Sequence, residues 1–250
     1  MSPYIYQKIH MVQKIYEGKA KIIFSTSKST EVIQHFKDNI TAFNNKKADI
    51  IPEKGVVNNY ISAFIMKKLT STGIKTHFIS LLNDREQLIK HVTIIPIEVV
   101  VRNTSAGNFS KRFNMKDGIT FRLPILEFYY KDDELHDPMI SESHILSFQL
   151  LTSYELDMIK NLSLHINDVL SKLFLDVNIK LVDFKLEFGR LYNNQTELLL
   201  ADEISPDTCR LWDISTNEKL DKDCYRLDLG NVIERYKEVA QRLHAIPSST

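Results

Sequence analysis

Leu181-Val182-Asp183-Phe184-Lys185-Leu186-Glu187-Phe188-Gly189 alternates apolar and charged side chains with the two-residue period of a β-strand. Val182, Phe184, Leu186 and Phe188 fall on one face, and Asp183, Lys185 and Glu187 on the other. Same-face neighbours lie roughly 7 Å apart, so the polar face presents two carboxylates flanking one ammonium. A solvated ladder of surface charges has the same pattern and contributes ~0–1 kcal/mol. A second acidic group argues for a site instead: Ala201-Asp202-Glu203 ends the apolar run Leu198-Leu199-Leu200, a hairpin's length downstream. Antiparallel strands joined through Tyr192-Asn193-Asn194-Gln195-Thr196 bring Asp202 near Asp183 or Glu187. Carboxylates so gathered suit magnesium and the phosphates it carries.

Outward from this hairpin, Ile94 to Arg102 is nearly continuous in Ile, Val and Pro, which predicts a central buried strand with a local irregularity at Pro96. Lys14 to Ser25 and Glu31 to Lys37 predict an N-terminal antiparallel sheet, and Asp38 to Gly55 a loop. Val56 to Leu69 has helical spacing, with Val57, Ile61, Phe64, Ile65 and Leu69 on one stripe and Gly73 just past its end. Ile74 to Leu82 reads as a strand, Ser105 to Phe113 as a short helix, and Ile119 to Tyr130 as an extended segment before the turn-rich Lys131 to Pro138. Thr152-Ser153-Tyr154-Glu155 is a capping box opening a helix to about Asp176, with Ile159, Leu162, Ile166, Val169, Leu170 and Leu173 as its buried stripe. An amphipathic helix over Asn231 to Leu243 precedes a frayed tail from Pro247. The fold class is α+β. Residues 1–10 read as an extension, 11–100 as a β-rich N-terminal lobe with one helix, and 101–250 as an α+β C-terminal lobe.

Lysine plus arginine and aspartate plus glutamate are 32 each, so no basic field gathers nucleic acid and a small-molecule partner is the default. The N-terminus lacks a sustained apolar h-region, and no window approaches the ~18 apolar residues of a membrane span. A cytosolic protein is expected, with Met11 as a natural start of its folded part. Cys209 and Cys224 are too few for a disulfide framework and fit a reducing compartment.

Tyr16-Glu17-Gly18-Lys19-Ala20-Lys21 places two lysines on one face of a strand that begins at a lone glycine, where backbone N–H groups can approach phosphate. An exposed hairpin with solvated lysines has the same sequence, and no Walker or Rossmann glycine pattern occurs. Arg102 ends the buried strand, and Ser105 with Gly107 opens the next helix, a combination that suits a phosphate monoester. A structural ion pair is the alternative for that arginine. Ser205, Asp207 and Arg210 follow the acidic strand, so Arg210 is a second phosphate candidate, while Trp212 reads as a packing anchor. His77, His91, His144, His165 and His244 show no zinc-hydrolase spacing, and His136-Asp137 is a turn that could contact substrate. Neither a G-x-S-x-G elbow nor a histidine beside either cysteine suggests a nucleophile.

The run Ile95 to Asn103 and the nonapeptide resemble the two signatures of the SAICAR synthetase (phosphoribosylaminoimidazole-succinocarboxamide synthase) family. Tyr16 to Lys21, Leu135-His136-Asp137-Pro138-Met139 and Asp202 to Asp213 resemble its recurrent blocks, so the likeness runs from about Met11 to Leu243. It implies an ATP-dependent ligase that joins L-aspartate to the carboxylate of carboxyaminoimidazole ribotide through an acyl phosphate, giving SAICAR, ADP and phosphate in purine biosynthesis. It also implies an antiparallel N-terminal lobe and a mixed C-terminal lobe with ATP between them, similar to ATP-grasp and kinase-like enzymes, a Mg²⁺ requirement and a homodimer. Under this resemblance Gly18, Lys19, Ala20 and Lys21 contact ATP phosphates, and backbone groups of Glu98, Val99, Val100 and Val101 supply the adenine edge. Glu187 and Asp202 hold the metal. Arg102, Ser105 and Arg210 grip the ribotide phosphate, Lys185 and Asp183 sit at the reacting carboxylate, and His136 and Asp137 recognise substrate or aspartate. Asn44 stands where some relatives have aspartate and takes no charge-dependent role. A kinase-like phosphotransferase would need the missing His-Arg-Asp and Gly-rich loop motifs. The intact set Asp183, Lys185, Glu187, Asp202 and Arg210 argues against a non-catalytic nucleotide sensor.

Overall fold

The computed structural model describes residues 13–43 and 45–246, so the extension over residues 1–10, Asn44 and the tail 247–250 lie outside the described residues. The chain opens with β1 (Lys14–Glu17), β2 (Lys21–Ser25) and β3 (Glu31–Phe36), followed by the hairpin β4 (Asn39–Ala42) and β5 (Lys47–Ile50). Next come α1 (Lys54–Ser71), β6 (Phe78–Asn83), β7 (Glu86–Lys90) and the long β8 (Val92–Thr104). The second half runs α2 (Gly107–Phe113), β9 (Thr120–Tyr130), β10 (Met139–Ile140), α3 (Glu142–Ser147) and α4 (Ser153–Leu175). It closes with β11 (Ile179–Leu191), β12 (Asn194–Ala201), β13 (Cys209–Asp213), α5 (Asp223–Arg226) and α6 (Val232–Arg242). The class is α+β.

One sheet has the order β1-β2-β3-β7-β6, and the other β10-β9-β8-β11-β12 with β13 also on β11. Every pairing within them is antiparallel. The first sheet takes its last strand from β7 and the second its first from β8, which continues unbroken past residue 100. Lys14 to Ser25 is two strands folded back at Gly18-Lys19-Ala20 rather than one. The segment expected as a loop after Asp38 contains the β4–β5 hairpin.

β8 and β11 lie side by side at the centre of the second sheet, and α4 packs on them. The α4 residues Leu156, Ile159, Ile166, Leu170 and Phe174 meet Val99, Val101, Phe184, Leu186 and Phe188 in one buried cluster. Each such side chain contributes roughly 1.5–3 kcal/mol on burial. The capping box forms as its sequence predicts: Glu155 N–H donates to Thr152 Oγ1 at 3.2 Å, and Thr152 N–H donates to Glu155 Oε2 at 2.8 Å. Pro96 sits opposite the register shift between Glu187 and Gly189 of β11, and its carbonyl accepts from Lys131 N–H at 3.0 Å.

One face assignment in the nonapeptide is corrected. The register of β11 on β13 shifts between Leu181 and Asp183, and Val182 leaves the main core to pack with Ala106 and Trp212. That bulge restores the parity that aims Phe184, Leu186 and Phe188 at the core and Asp183, Lys185 and Glu187 away from it. No helix among the described residues is long and apolar enough to cross a membrane.

Gly55, in the first turn of α1, packs directly on β3. A Cβ there would lie 2.5 Å from the Phe36 carbonyl oxygen and 2.9 Å from Arg85 Nη1. Gly55→Ala is therefore expected to lower unfolding stability by about 1–3 kcal/mol, measured by denaturant titration, since a sheet carbonyl cannot step aside.

Candidate active site

The two sheets enclose a cleft of about 830 Å³, within the size range of small-molecule sites. Its first-sheet wall includes Gly18, Lys19, Ala20, Lys21, Val32 and Ile89, and its second-sheet wall Glu98, Lys185, Glu187 and Asp202. A smaller compartment of about 350 Å³ adjoins it, lined by Arg102, Asp183, Arg210 and Lys222 among others. Glu98, Lys185 and Asp207 border both spaces.

Local topology explains why the charges converge. β12 leaves the edge of β11 after Ala201, and β13 joins the same edge at Cys209. The intervening residues arch past Lys185, whose backbone N–H donates to the Thr208 carbonyl at 2.9 Å. The arch begins with Asp202 in a left-handed conformation at φ 62°. Asp202 thereby joins Glu187, and not Asp183, because Ala201 pairs directly with Glu187.

Four carboxylates and three lysines interlock on the floor of the cleft. Lys185 Nζ lies 2.6 Å from Glu98 and 2.5 Å from Glu187, and Lys131 Nζ lies 2.9 Å from the same Glu187 oxygen. Lys21 donates to Asp202 and lies 2.9 Å from Glu203. Burial opposes the charge on Lys185, but Glu187, Glu98 and Asp202 outweigh it and hold its pKa well above the usual lysine value. Burial likewise opposes ionisation of Asp202, and Lys21, Lys185 and Lys131 overcome it, keeping the carboxyl far below the usual range. Lys185 is thus a fixed cation at neutral pH and not a proton acceptor.

Arginine chemistry dominates the adjoining compartment. Arg102 donates from Nε to Glu127 at 2.7 Å and from Nη1 to Asp183 at 2.7 Å. Arg210 donates from Nη1 to the same Asp183 oxygen at 2.8 Å and from Nε to Asp223 at 2.8 Å. Asp183 thus spaces two guanidinium groups, while the carboxylate partners of Lys185 are Glu98 and Glu187. Arg102 is 5% exposed and carries the structural ion pairs weighed as its alternative, while still lining the compartment. Gly107, at φ +57°, lies over Arg210, where a Cβ would come within 2.6 Å of Nη2.

Several expected contributors are placed elsewhere. Ser105 is fully buried, its hydroxyl donating to the Lys116 carbonyl at 2.7 Å and accepting from Ile119 N–H at 2.9 Å, so it is committed to a turn and not to a phosphate. Val99 and Val101 point into the core. The backbone of Glu98 through Val101 is paired with β9 on one side and β11 on the other, so it offers no open adenine edge. The Glu98 side chain faces the cleft and Val100 the smaller compartment. Lys19 and Lys21 do not share a strand face: Lys19 lies in the turn and pairs with Asp133 at 2.7 Å. Asp137 lines both spaces and its Oδ1 accepts from Asp132 N–H at 3.0 Å, while His136 is exposed outside both linings.

Glu187 and Asp202 are hard oxygen donors on one cleft, already balanced by lysines. Among the described residues, no three His, Cys, Asp or Glu side chains form a metal cage. That donor set fits magnesium, which is usually held by one or two carboxylates together with substrate phosphates and water.

Sequence reasoning missed Lys131, Glu127 and Asp223, and a buried knot at the rear of the site. Lys54, 1% exposed, donates to Asp207 at 2.5 Å, which also accepts from Asn58 at 2.9 Å and from Tyr236 OH at 2.8 Å. The knot fastens α1 and α6 to the arch between β12 and β13. The acidic-basic run Asp221-Lys222-Asp223 was a usable signal for part of this wall.

A family model described as SAICAR synthetase matches residues 14–243. A relative from Ehrlichia chaffeensis, phosphoribosylaminoimidazole-succinocarboxamide synthase, is 73% identical over 237 residues, covering 94% of this chain and 98% of its own length. The crystal structure of a synthase of that name from the same organism superposes with a TM-score of 0.93 at 72% identity, covering 94% of this chain and 100% of its own. A SAICAR synthetase solved in complex with ADP gives a TM-score of 0.89 at 41% identity, covering 94% of this chain and 99% of its own.

His77, 2% exposed on the cleft wall, is driven down to about 4 by burial, with Asp202 only partly offsetting the shift. An unfolded histidine titrates near ~6.5, so its contribution to stability is complete above that pH and is lost as pH falls toward about 4. Unfolding free energy should therefore drop between about pH 6.5 and 5 by up to ~1.4 kcal/mol per unit. His77→Gln should flatten this slope in denaturant titrations at each pH; an unchanged slope would contradict the assignment.

Proposed function

The chain belongs to the SAICAR synthetase family of purine-biosynthesis ligases, and from that premise we propose that its cleft uses ATP and Mg²⁺ to activate the carboxylate of carboxyaminoimidazole ribotide for attack by L-aspartate. The observation that carries this reading is the border position of Lys185, a fixed cation between a lysine–carboxylate cleft and a two-arginine compartment. A ligase that transfers phosphate onto an anionic substrate needs these two anion sites side by side, with charge compensation at the junction.

In this reading Gly18 to Lys21 face the ATP phosphates, and the purine base lies in the apolar end of the cleft near Ile23, Val32, Ile89 and Val92. Glu187 and Asp202 would hold Mg²⁺, which when bound would withdraw charge from the phosphate oxygens. Arg102 and Arg210 take the ribotide phosphate, with Asp183 setting their spacing. Substrate anchored there would extend its carboxylate toward Lys185, which borders both spaces. A carboxylate resists amines until one of its oxygens becomes a leaving group. Its oxygen attacks the γ-phosphorus and ADP departs; the aspartate amine then adds to the acyl carbon, phosphate leaves with that oxygen, and the amine loses a proton. Lys185 and Lys131 offset charge throughout, and a cleft closed around its substrates keeps water from the acyl phosphate.

Purified protein should produce ADP in steady-state turnover only when ribotide and aspartate are both present; a steady-state rate indifferent to aspartate would count against a ligase. Glu187→Gln or Asp202→Asn should lower kcat roughly 100-fold and raise the Mg²⁺ requirement, while Arg102→Ala should chiefly raise the ribotide KM. Near-wild-type kinetics in all three would overturn the residue roles.

A further inference from the structure

Behind Arg102 lies an assembly that touches neither cavity directly. Glu127 of β9 is 7% exposed and accepts from Arg102 Nε at 2.7 Å and from the Tyr129 hydroxyl at 2.8 Å through one oxygen. Its other oxygen accepts from Arg112 Nη2 on α2. The Tyr129 hydroxyl in turn accepts from Arg112 Nη1 at 3.1 Å and from Arg102 Nη2 at 3.4 Å. The Phe109 ring packs against both guanidinium groups, with centroid distances of 5.4 Å to Arg102 and 5.6 Å to Arg112. One buried carboxylate therefore holds apart two cations that share an aromatic ring.

The geometry of Arg102 follows from this assembly. A guanidinium carries five N–H groups; those directed at Glu127, Asp183 and Tyr129 account for three, leaving two for the compartment that Arg102 lines. With Glu127 neutral, the attraction fixing the Nε edge would fall to an ordinary hydrogen bond. Arg112 and Arg102 would then repel without a charge between them. The fork facing the compartment would lose its fixed orientation, whereas the nucleotide cleft, built on Lys21, Lys185 and Glu187, has no contact with this group.

We infer that Glu127, supported by Tyr129 and Arg112, is a positioning residue that aims the Arg102 fork at a sugar-phosphate monoester. This inference rests on the reading that Arg102 and Arg210 bind the ribotide phosphate. It assigns the orientation of that site to β9 and α2, outside the blocks of sequence that carry the catalytic groups.

Steady-state kinetics of Glu127→Gln, Glu127→Asp, Tyr129→Phe and Arg102→Ala test it, with ribose 5-phosphate as a competitive probe of the phosphate site. Glu127→Gln should raise the ribotide KM and the ribose 5-phosphate inhibition constant about tenfold, the loss expected for one hydrogen bond to a charged group. Its kcat and the KM values for ATP and aspartate should stay within about twofold of wild type. Glu127→Asp should recover most of the loss because it keeps the charge, and Tyr129→Phe should show a smaller rise of the same kind. A parallel rise in the ATP and ribotide KM values, or a lowered melting temperature with an unchanged ribotide KM, would reduce Glu127 to a structural role and overturn the inference. If Arg102→Ala raises the ribotide KM and Glu127→Gln does not, the inference alone fails; if Arg102→Ala leaves it unchanged, the underlying reading of the compartment fails.

Discussion

The contact on which the rest of the site depends is the ammonium of Lys185 held between Glu98 and Glu187, at 2.6 and 2.5 Å. Glu98 and Glu187 stand directly opposite each other on neighbouring central strands, with like charges facing across the ladder. Such a pair is destabilising unless a cation joins it. Glu187 is nearly buried, so removing the cations beside it would leave a carboxylate uncompensated, and each group in this interlock constrains the next. Lys131 reaches the same Glu187 oxygen from the turn after β9, and Lys21 reaches Asp202 from the opposite sheet. The two sheets are thereby joined by charge across the space where a charged ligand would enter. In the proposed reaction, incoming phosphates and a metal would replace contacts that the protein now makes with itself.

In the proposed reaction a single strand serves two chemistries because of its two-residue period. Asp183 and Lys185 are roughly 7 Å apart on one face of β11, close enough to serve one substrate and far enough to belong to different charge clusters. Asp183 organises guanidinium groups, which match phosphate with paired donors, and Lys185 supplies a point charge beside the cleft. The opposite face of the strand is locked to α4 by Phe184, Leu186 and Phe188. Rigid packing on one side is what permits accurate placement on the other.

Much of this frame was legible in the sequence, for local reasons. The capping box at Thr152, the apolar stripe of α4 and the continuous β-branched run of β8 are all written within a few turns or strand residues of chain, and the α+β class follows from them. The hairpin that brings Asp202 to Glu187 was legible too, though its turn is only Tyr192-Asn193. Strand order was not, and it is what engages the β8 backbone on both flanks and removes the expected adenine edge. The partners of Arg102 and Lys54 were hidden for the same reason: Glu127 and Asp207 meet them across separations of 25 and 153 residues, set by topology and not by spacing. Ser105 misled because a hydroxyl after an arginine has the composition of a phosphate site, while its bonds to Lys116 and Ile119 belong to a turn. The bulge at Val182 left no mark in the alternating pattern.

In the proposed reaction the cleft turns a carboxylate oxygen into a leaving group by moving phosphate onto it. Carboxyaminoimidazole ribotide labelled with ¹⁸O in its carboxylate tests this most directly, with the inorganic phosphate product read by its isotope shift in ³¹P NMR. One labelled oxygen is expected in each phosphate released, because the oxygen that attacks phosphorus is the one that departs with it. Phosphate free of label, at normal turnover, would contradict it.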